Sequence, residues 1–200
     1  MHRTIAVNND TMSSITHIIY SDVADYCILI DCGDYNCLEP ILKRLDKPVK
    51  MVLLTHGHSD HICGLTDLVK HQPDVEICTT EDGHVEIADS RLNLSYYYGS
   101  PFAVTSNYHK RNLHDGDSIN LIGIGKIDVI ATPGHDTSCL SYRIGNDLFS
   151  GDSYIPGIKV FSKFPRGNRT KALESYKMLK EMEDNGAIIH CGHHSYEAFK

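Results

Sequence analysis

Val49-Lys50-Met51-Val52-Leu53-Leu54-Thr55-His56-Gly57-His58-Ser59-Asp60-His61 decides how this chain is read. The first six residues are mostly apolar and suit a buried strand. A turn follows that carries His56, His58, Asp60 and His61. Histidines two apart on extended backbone project the same way, so His56 and His58 can reach one ion. Asp60 and His61 continue past a bend and can serve a second. Imidazole nitrogen with carboxylate oxygen suits zinc, iron or manganese. Gly57 removes a side chain where the loop must fold tightly.

Three segments further along repeat the arrangement. Ile130-Ala131-Thr132-Pro133-Gly134-His135 puts a histidine on a Pro-Gly turn. Leu148-Phe149-Ser150-Gly151-Asp152 puts a carboxylate at a strand end. Ile188-Ile189-His190-Cys191-Gly192-His193-His194 ends a strand in histidines. A single strand-end histidine is more often structural than a ligand. Here buried strand, tight glycine turn and metal-type ligand recur together.

The rest of the chain alternates short β-type runs with helical periodicity. Strands are expected at 17–20, 26–30, 49–54, 75–78, 118–122, 127–130, 139–143 and 187–190. Leu38, Ile41, Leu42 and Leu45 recur at helical spacing, as do Ile62, Leu65, Leu68 and Val69. Leu173, Tyr176, Leu179 and Met182 mark a third helix, with Thr170 as its expected N-cap and Gly186 past its end. The stretch 96–101, with three tyrosines, reads as an irregular loop. The strands are too many for one simple parallel sheet, so the expectation is α/β with two mixed sheets.

A chain of 200 residues without repeats or linkers suits a single domain, 1–200. The formal charge of −7 argues against a general affinity for nucleic acid. No apolar run approaches a membrane span, and none follows a basic start as in a signal peptide. Seven cysteines form no C-x-x-C pair, which fits reduced, mostly buried thiols and a cytoplasmic protein. Cys63 and Cys191 lie near candidate ligands but read as packing.

His56-x-His58-x-Asp60-His61, Thr132-Pro133-Gly134-His135, Gly151-Asp152 and Gly192-His193 together resemble the metallo-β-lactamase superfamily, in the family's order. The resemblance runs from Leu29-Ile30-Asp31-Cys32-Gly33 to Gly192-His193. Asn93-Leu94-Ser95 and Leu113-His114-Asp115-Gly116-Asp117 look most like the glyoxalase II-like thioesterases. The resemblance implies an αββα sandwich of two mixed sheets flanked by helices. It implies a first metal held by His56, His58 and His135, and a second by Asp60, His61 and His193, with Asp152 bridging both. His190 and His194 compete with His193 for the last place, and Asp31 reads as structural. The chain departs from the family pattern at Asp136, where Thr is usual, at His194, where a small residue is usual, and at Ser153-Tyr154-Ile155-Pro156-Gly157, which replaces a Gly-Arg-x-Asp segment. Seven residues follow His193, so the helical domain that binds glutathione in full-length glyoxalase II is not expected here.

What the resemblance implies chemically is a hydrolase with two divalent ions, zinc first among the choices. A hydroxide bridging the ions attacks an acyl-thioester or similar ester of a small-molecule substrate, with Asp60 and Asp152 as catalytic residues. Lys159, Lys163, Arg166 and Arg169 make the stretch 159–169 basic. From that follows an expected anionic substrate met by Lys163 and Arg166, with Tyr154 as hydroxyl donor. Two other readings fit the same motifs: a phosphodiesterase or nuclease, and a persulfide dioxygenase holding one iron through His56, His135 and Asp152.

Overall fold

Six strands, β1 (Arg3–Asn8), β2 (Ile15–Tyr20), β3 (Cys27–Ile30), β4 (Val49–Leu53), β5 (Glu76–Thr79) and β6 (His109–Asn112), lie side by side in chain order as the first sheet. β1, β2 and β3 pair antiparallel, and β3 to β6 pair parallel. The second sheet runs β11-β10-β9-β8-β7, built from β7 (Ser118–Leu121), β8 (Gly125–Ala131), β9 (Leu140–Ile144), β10 (Asp147–Gly151) and β11 (Ile188–Cys191). All its pairs are antiparallel except β10 with β11. The structure, a computed structural model, describes residues 1–105 and 107–194. Residues 106 and 195–200, included in the one-domain expectation, lie outside the described residues.

Alternation along the strands creates the layers. In β3, Cys27 and Leu29 enter one core, with Leu38 and Leu42 of helix α1 (Tyr35–Leu45). Ile28 and Ile30 enter another, with Val129, Leu140, Tyr142 and Phe149 of the second sheet. Successive side chains of a strand point to opposite faces, so one strand feeds both cores. A third core joins Leu148 to Leu179 of the last helix. The order is therefore helix, sheet, sheet, helix, as the sequence implied. Tyr142 is wholly buried between the sheets, and its hydroxyl donates to the Leu54 carbonyl at 2.6 Å. Left unpaired, that hydroxyl would cost about 1–3 kcal/mol. Paired, it ties the second sheet to the end of β4, just before the histidine turn.

Several expectations shift. The expected helix beginning at Ile62 is two pieces, α2 (Ser59–Ile62) and α3 (Leu65–His71). A Cβ at Gly64 would lie 2.0 Å from the Gly33 carbonyl, so the chain passes that strand-to-helix loop only as glycine. Helix α4 (Glu81–Ile87), capped by Thr80, and strands β1 and β6 had no periodicity to mark them. Residues Ser95–Tyr98 are a 3-10 turn rather than irregular loop. The last helix, α5 (Arg169–Asp184), is capped by Asn168, whose side chain accepts from the Lys171 amide at 3.0 Å. Thr170 falls inside its first turn. Among the described residues no helix is long and apolar enough to cross a membrane. None of the seven cysteines forms a disulfide, and four are buried.

His17 on β2 gives the fold a pH dependence. Its ring is buried against Phe149 and His190, and Nε2 lies 3.2 Å from the Cys191 carbonyl. Burial pulls its pKa down from 6.5 to about 4, more than the hydrogen bond to Cys191 restores. The folded state therefore favours the neutral ring. Its contribution is full above pH 6.5 and is lost as pH falls through the window from 6.5 to about 4. The loss reaches roughly 3 kcal/mol at most. Urea unfolding of the wild type and His17→Gln, at about pH 7 and about pH 4.5, should show a smaller acid loss in the variant. Equal losses would remove His17 from the account.

Candidate metal centre

The C-terminal ends of β4, β8, β10 and β11 meet at one edge of the sandwich, and a ligand-type residue lies just past each. Three groups of side chains converge there: His56, His58 and His135; Asp60, His61 and His193; and His56, His61 and Asp152. Within each group the ligand-capable atoms all lie within 4.8 Å of one another, and every one of these residues is buried. Asp152 stands between the sets. Its Oδ2 is 3.6 Å from His135 Nε2 and 3.5 Å from His193 Nε2, and its Oδ1 is 3.5 Å from His61 Nε2. Gly192 makes this approach possible, because a Cβ there would sit 2.3 Å from Asp152 Oδ1.

Hydrogen bonds behind the rings decide which nitrogens face inward. Thr55 donates its amide and hydroxyl to Asp31 at 2.7 and 2.8 Å. With its proton so used, the Thr55 oxygen accepts from His56 Nδ1 at 3.0 Å. His56 Nε2 then presents a lone pair, buried and without a hydrogen-bond partner. His61 Nδ1 donates to Asp31 Oδ2 at 2.8 Å, and His135 Nδ1 donates to the Phe161 carbonyl at 2.7 Å. Both rings are thus turned so that Nε2 faces the cluster. Partners of this kind fix the tautomer and orientation of metal-ligating histidines.

The charges divide the cluster in two. Burial, with His61, His58 and His135 nearby, holds His56 well below the ordinary histidine range. Burial and His135 pull His58 down to about 3. Both rings are neutral, the form that ligates. At the other end burial opposes charge, but Asp60, Asp31 and Asp152 together lift His61 well above its usual value. Asp152 and Asp60 likewise lift His193 against its burial. His61 Nε2 and His193 Nε2 nevertheless face each other at 3.3 Å. His135 Nε2 and His58 Nδ1 face each other at 3.0 Å. Ring nitrogens crowded against ring nitrogens beside two buried carboxylates fit a site for cations. The donor set, imidazole with carboxylate, is that of zinc, iron or manganese.

The sequence pattern of the metallo-beta-lactamase superfamily matches residues 14–193. This chain belongs to that superfamily. It is 29% identical over 169 residues to the hydroxyacylglutathione hydrolase of Aeromonas salmonicida, an alignment covering 84% of this chain and 57% of that protein. The chain thus spans little more than half the length of that curated relative. Its fold is similar to that of BLEG-1, a B3 metallo-β-lactamase, with a TM-score of 0.83 at 23% identity over 96% of this chain and 91% of that one. It is also similar to TTHA1623, solved in a di-iron-bound form, with a TM-score of 0.76 at 21% identity over 94% and 91% of the two chains.

Of the three histidines competing for the last place in this superfamily site, only His193 enters the cluster. His190 Nε2 bonds Asp147 at 2.7 Å while its ring stacks on Phe149, and His194 is exposed. Asp31 is more than structural in the bland sense, since it holds the His61 ring. It does so from a left-handed backbone, φ 61°, which no sequence pattern reveals. Cys63 is pushed up to about 12 by burial and the Asp34 charge, and burial also raises Cys191. Such thiols stay protonated, in keeping with packing.

The expected substrate residues fare differently. Tyr154 is buried beside Leu148, Leu179 and Tyr176, and its hydroxyl donates to Glu183 on α5. It is committed to helix packing, not to the cavity at the cluster. Arg166 does line a cavity beside His58, but its Nε donates to Asp136 Oδ2 at 3.0 Å and its Nη2 to Asp82. Two carboxylates already take up its charge, so the expected anion binding is not available from it. Lys163 is exposed, while Lys159 and Arg169 line a separate groove beside α5.

Glu86 escaped the sequence reading. It is wholly buried on α4, where Oε2 accepts from the Gly57 amide at 3.1 Å and from the Ser138 hydroxyl. Burial, then the charge of Asp136, push its carboxyl up to about 8. Glu86 Oε1 and Asp136 Oδ2 each lie 3.9 Å from His58 Nε2. A lone glutamate on a short helix carries no motif. Asp136 was visible only as a departure from the family's threonine, and its partner here is Arg166.

Proposed function

We propose that this chain is a metal-dependent hydrolase acting on an acyl-thioester or similar ester. The observation that carries this reading is the pair of buried ligand groups flanking Asp152, opening on a cavity lined by His58, Asp60, His135 and Asp152. His56, His58 and His135 would hold one divalent ion, and Asp60, His61 and His193 another, with Asp152 between them and zinc the first candidate. Such ions, when bound, supply Lewis acidity that lowers the pKa of water toward neutrality and polarises a carbonyl. The protein's own part is orientation. Asp31, Thr55 and the Phe161 carbonyl aim the imidazoles. Asp60, at the cavity wall, would be placed to accept a hydrogen bond from a water there. The two sheets exclude bulk water from below, which strengthens every charge interaction at the site. No serine or cysteine nucleophile is needed, and Cys63 is held protonated. The hydroxyacylglutathione hydrolase relative supports thioester chemistry.

The test is a screen of metal-reconstituted protein on thioesters, simple esters, phosphodiesters and β-lactams, with oxygen uptake on a persulfide measured in parallel. Thioester or ester cleavage with close to two metal equivalents per chain is the expected result. Oxygen uptake with a single iron and no hydrolysis would replace this reading with the dioxygenase.

A further inference from the structure

The mouth of the centre is lined mainly by aromatic and apolar side chains. Leu94, Tyr98 and Phe164 line the cavity over Asp60, His135 and Asp152. Outward, Leu94, Tyr97, Tyr98, Phe164 and Pro165 line a further, open cavity of about 260 Å³. An apolar cavity of about 150 Å³ suffices for benzene. The Phe164 ring meets His58 edge-on at 4.9 Å and His135 at 5.5 Å, so this lining is continuous with the cluster itself.

The tyrosines are presented by a built turn. Tyr97 and Tyr98 are 62% and 50% exposed, yet the residues that carry them are anchored. The buried Asn93 side chain donates to the Phe102 carbonyl at 3.0 Å and accepts from the Ser95 amide at 2.9 Å. The Asn93 carbonyl accepts from the Ser59 amide at 2.8 Å, which fastens the turn to α2 and hence to Asp60 and His61. Leu94 is forced into the left-handed region, φ 69°, to turn the tyrosines outward. A bulky residue there persists only when its surroundings overdetermine it.

Of the two arginines on the adjoining wall, Arg166 is neutralised by carboxylates, those of Asp136 and Asp82. Arg91, on the same cavity lining, lies over the Tyr96 ring at 5.0 Å. The side chains that flank the cluster on this side, Leu94, Tyr98 and Phe164, are apolar or aromatic, and no lysine or arginine lines that innermost cavity.

We propose that the group carried next to the scissile bond is uncharged and apolar, an aromatic ring or short hydrocarbon seated among Tyr97, Tyr98, Leu94, Phe164 and Pro165. This rests on the hydrolase reading of the centre, and it separates the chain from the glutathione thioesters of its curated relatives. The ring would stack on Tyr97 and meet the Phe164 edge while the carbonyl reaches the cavity over Asp60.

The experiment uses metal-loaded protein and two probes that it does not cleave, N-benzylacetamide and S-methylglutathione, with affinity measured by calorimetry. N-benzylacetamide should be the tighter ligand. Tyr97→Ser should weaken it about three- to tenfold, the range expected for losing one aromatic contact. Tyr97→Phe should retain affinity, and neither variant should change metal content. In parallel, S-benzyl thioacetate should be cleaved with higher kcat/KM than S-acetylglutathione. Tighter binding of S-methylglutathione, or a Tyr97→Ser variant that binds N-benzylacetamide as the wild type does, would overturn the proposal. If the binding results hold and no ester or thioester is cleaved, the aromatic mouth stands and the hydrolase reading alone fails.

Discussion

Asp152→Asn should lose most of its activity and much of its metal. The carboxylate lies within 3.5–3.6 Å of His61, His135 and His193, and so reaches histidines of both ligand sets. Burial alone would raise its pKa, yet His193, the hydrogen bond from His61 and the electrostatic effect of His61 and His135 hold it well below the usual carboxylate range. Asparagine keeps the shape, removes the charge and points an amide at ring nitrogens. Loss of an outer partner of a metal site typically costs about 10- to 100-fold in affinity or activity. Loss of the shared carboxylate should exceed that. Elemental analysis and kcat/KM on the best substrate of the screen measure it. Full metal occupancy with near wild-type turnover would show that Asp152 is not shared. His190→Ala is the matched control, because that ring bonds Asp147 outside the cluster.

Removing the metal should also cost stability. The cluster buries His56, His58, His61, His135, His193, Asp60 and Asp152 in one small volume. Without ions, Asp60 and Asp152 raise the pKa of His61 and His193 against their burial, although the two ring nitrogens face each other at 3.3 Å. A ligand present at a thousand times its dissociation constant stabilises the state that binds it by about 4 kcal/mol. For a domain of this size that corresponds to a fall in Tm of roughly 8–16 °C on chelation. Urea midpoints of chelated and reloaded protein measure the difference. Coincident midpoints would show that the ions bind folded and unfolded chain alike, or not at all. Asp152→Asn should shrink the gap between the two curves, which links the stability effect to the same carboxylate.

The layers and the clustering of candidate ligands were legible in the sequence because both are local. Burial on both faces of β3 and β4 follows from their nearly continuous apolar runs. Each expected ligand lies just past a strand, next to the glycine or turn that lets the backbone approach. His56, His58, Asp60 and His61 announce themselves by spacing alone. His135 and Asp152 do so by repeating the same strand-to-turn pattern at the ends of β8 and β10, whereas the end of β11 offers three histidines.

What lay beyond the sequence depends on partners far away along the chain. His193 and not His190 enters the cluster because β11 pairs with β10, and Asp147 there captures His190 at 2.7 Å. Tyr154 looks like a cavity residue from its place two positions after Asp152, until α5 supplies Glu183 for its hydroxyl. Arg166 looks like an anion receptor until Asp82 and Asp136 meet it across 84 and 30 residues of sequence. Glu86 has no motif at all and gains its raised pKa only from being sealed beside Asp136. Spacing can specify which side chains share a turn. Whether a charge is free or neutralised depends on what tertiary packing brings against it, because at these depths one neighbouring carboxylate outweighs the residue's own chemistry.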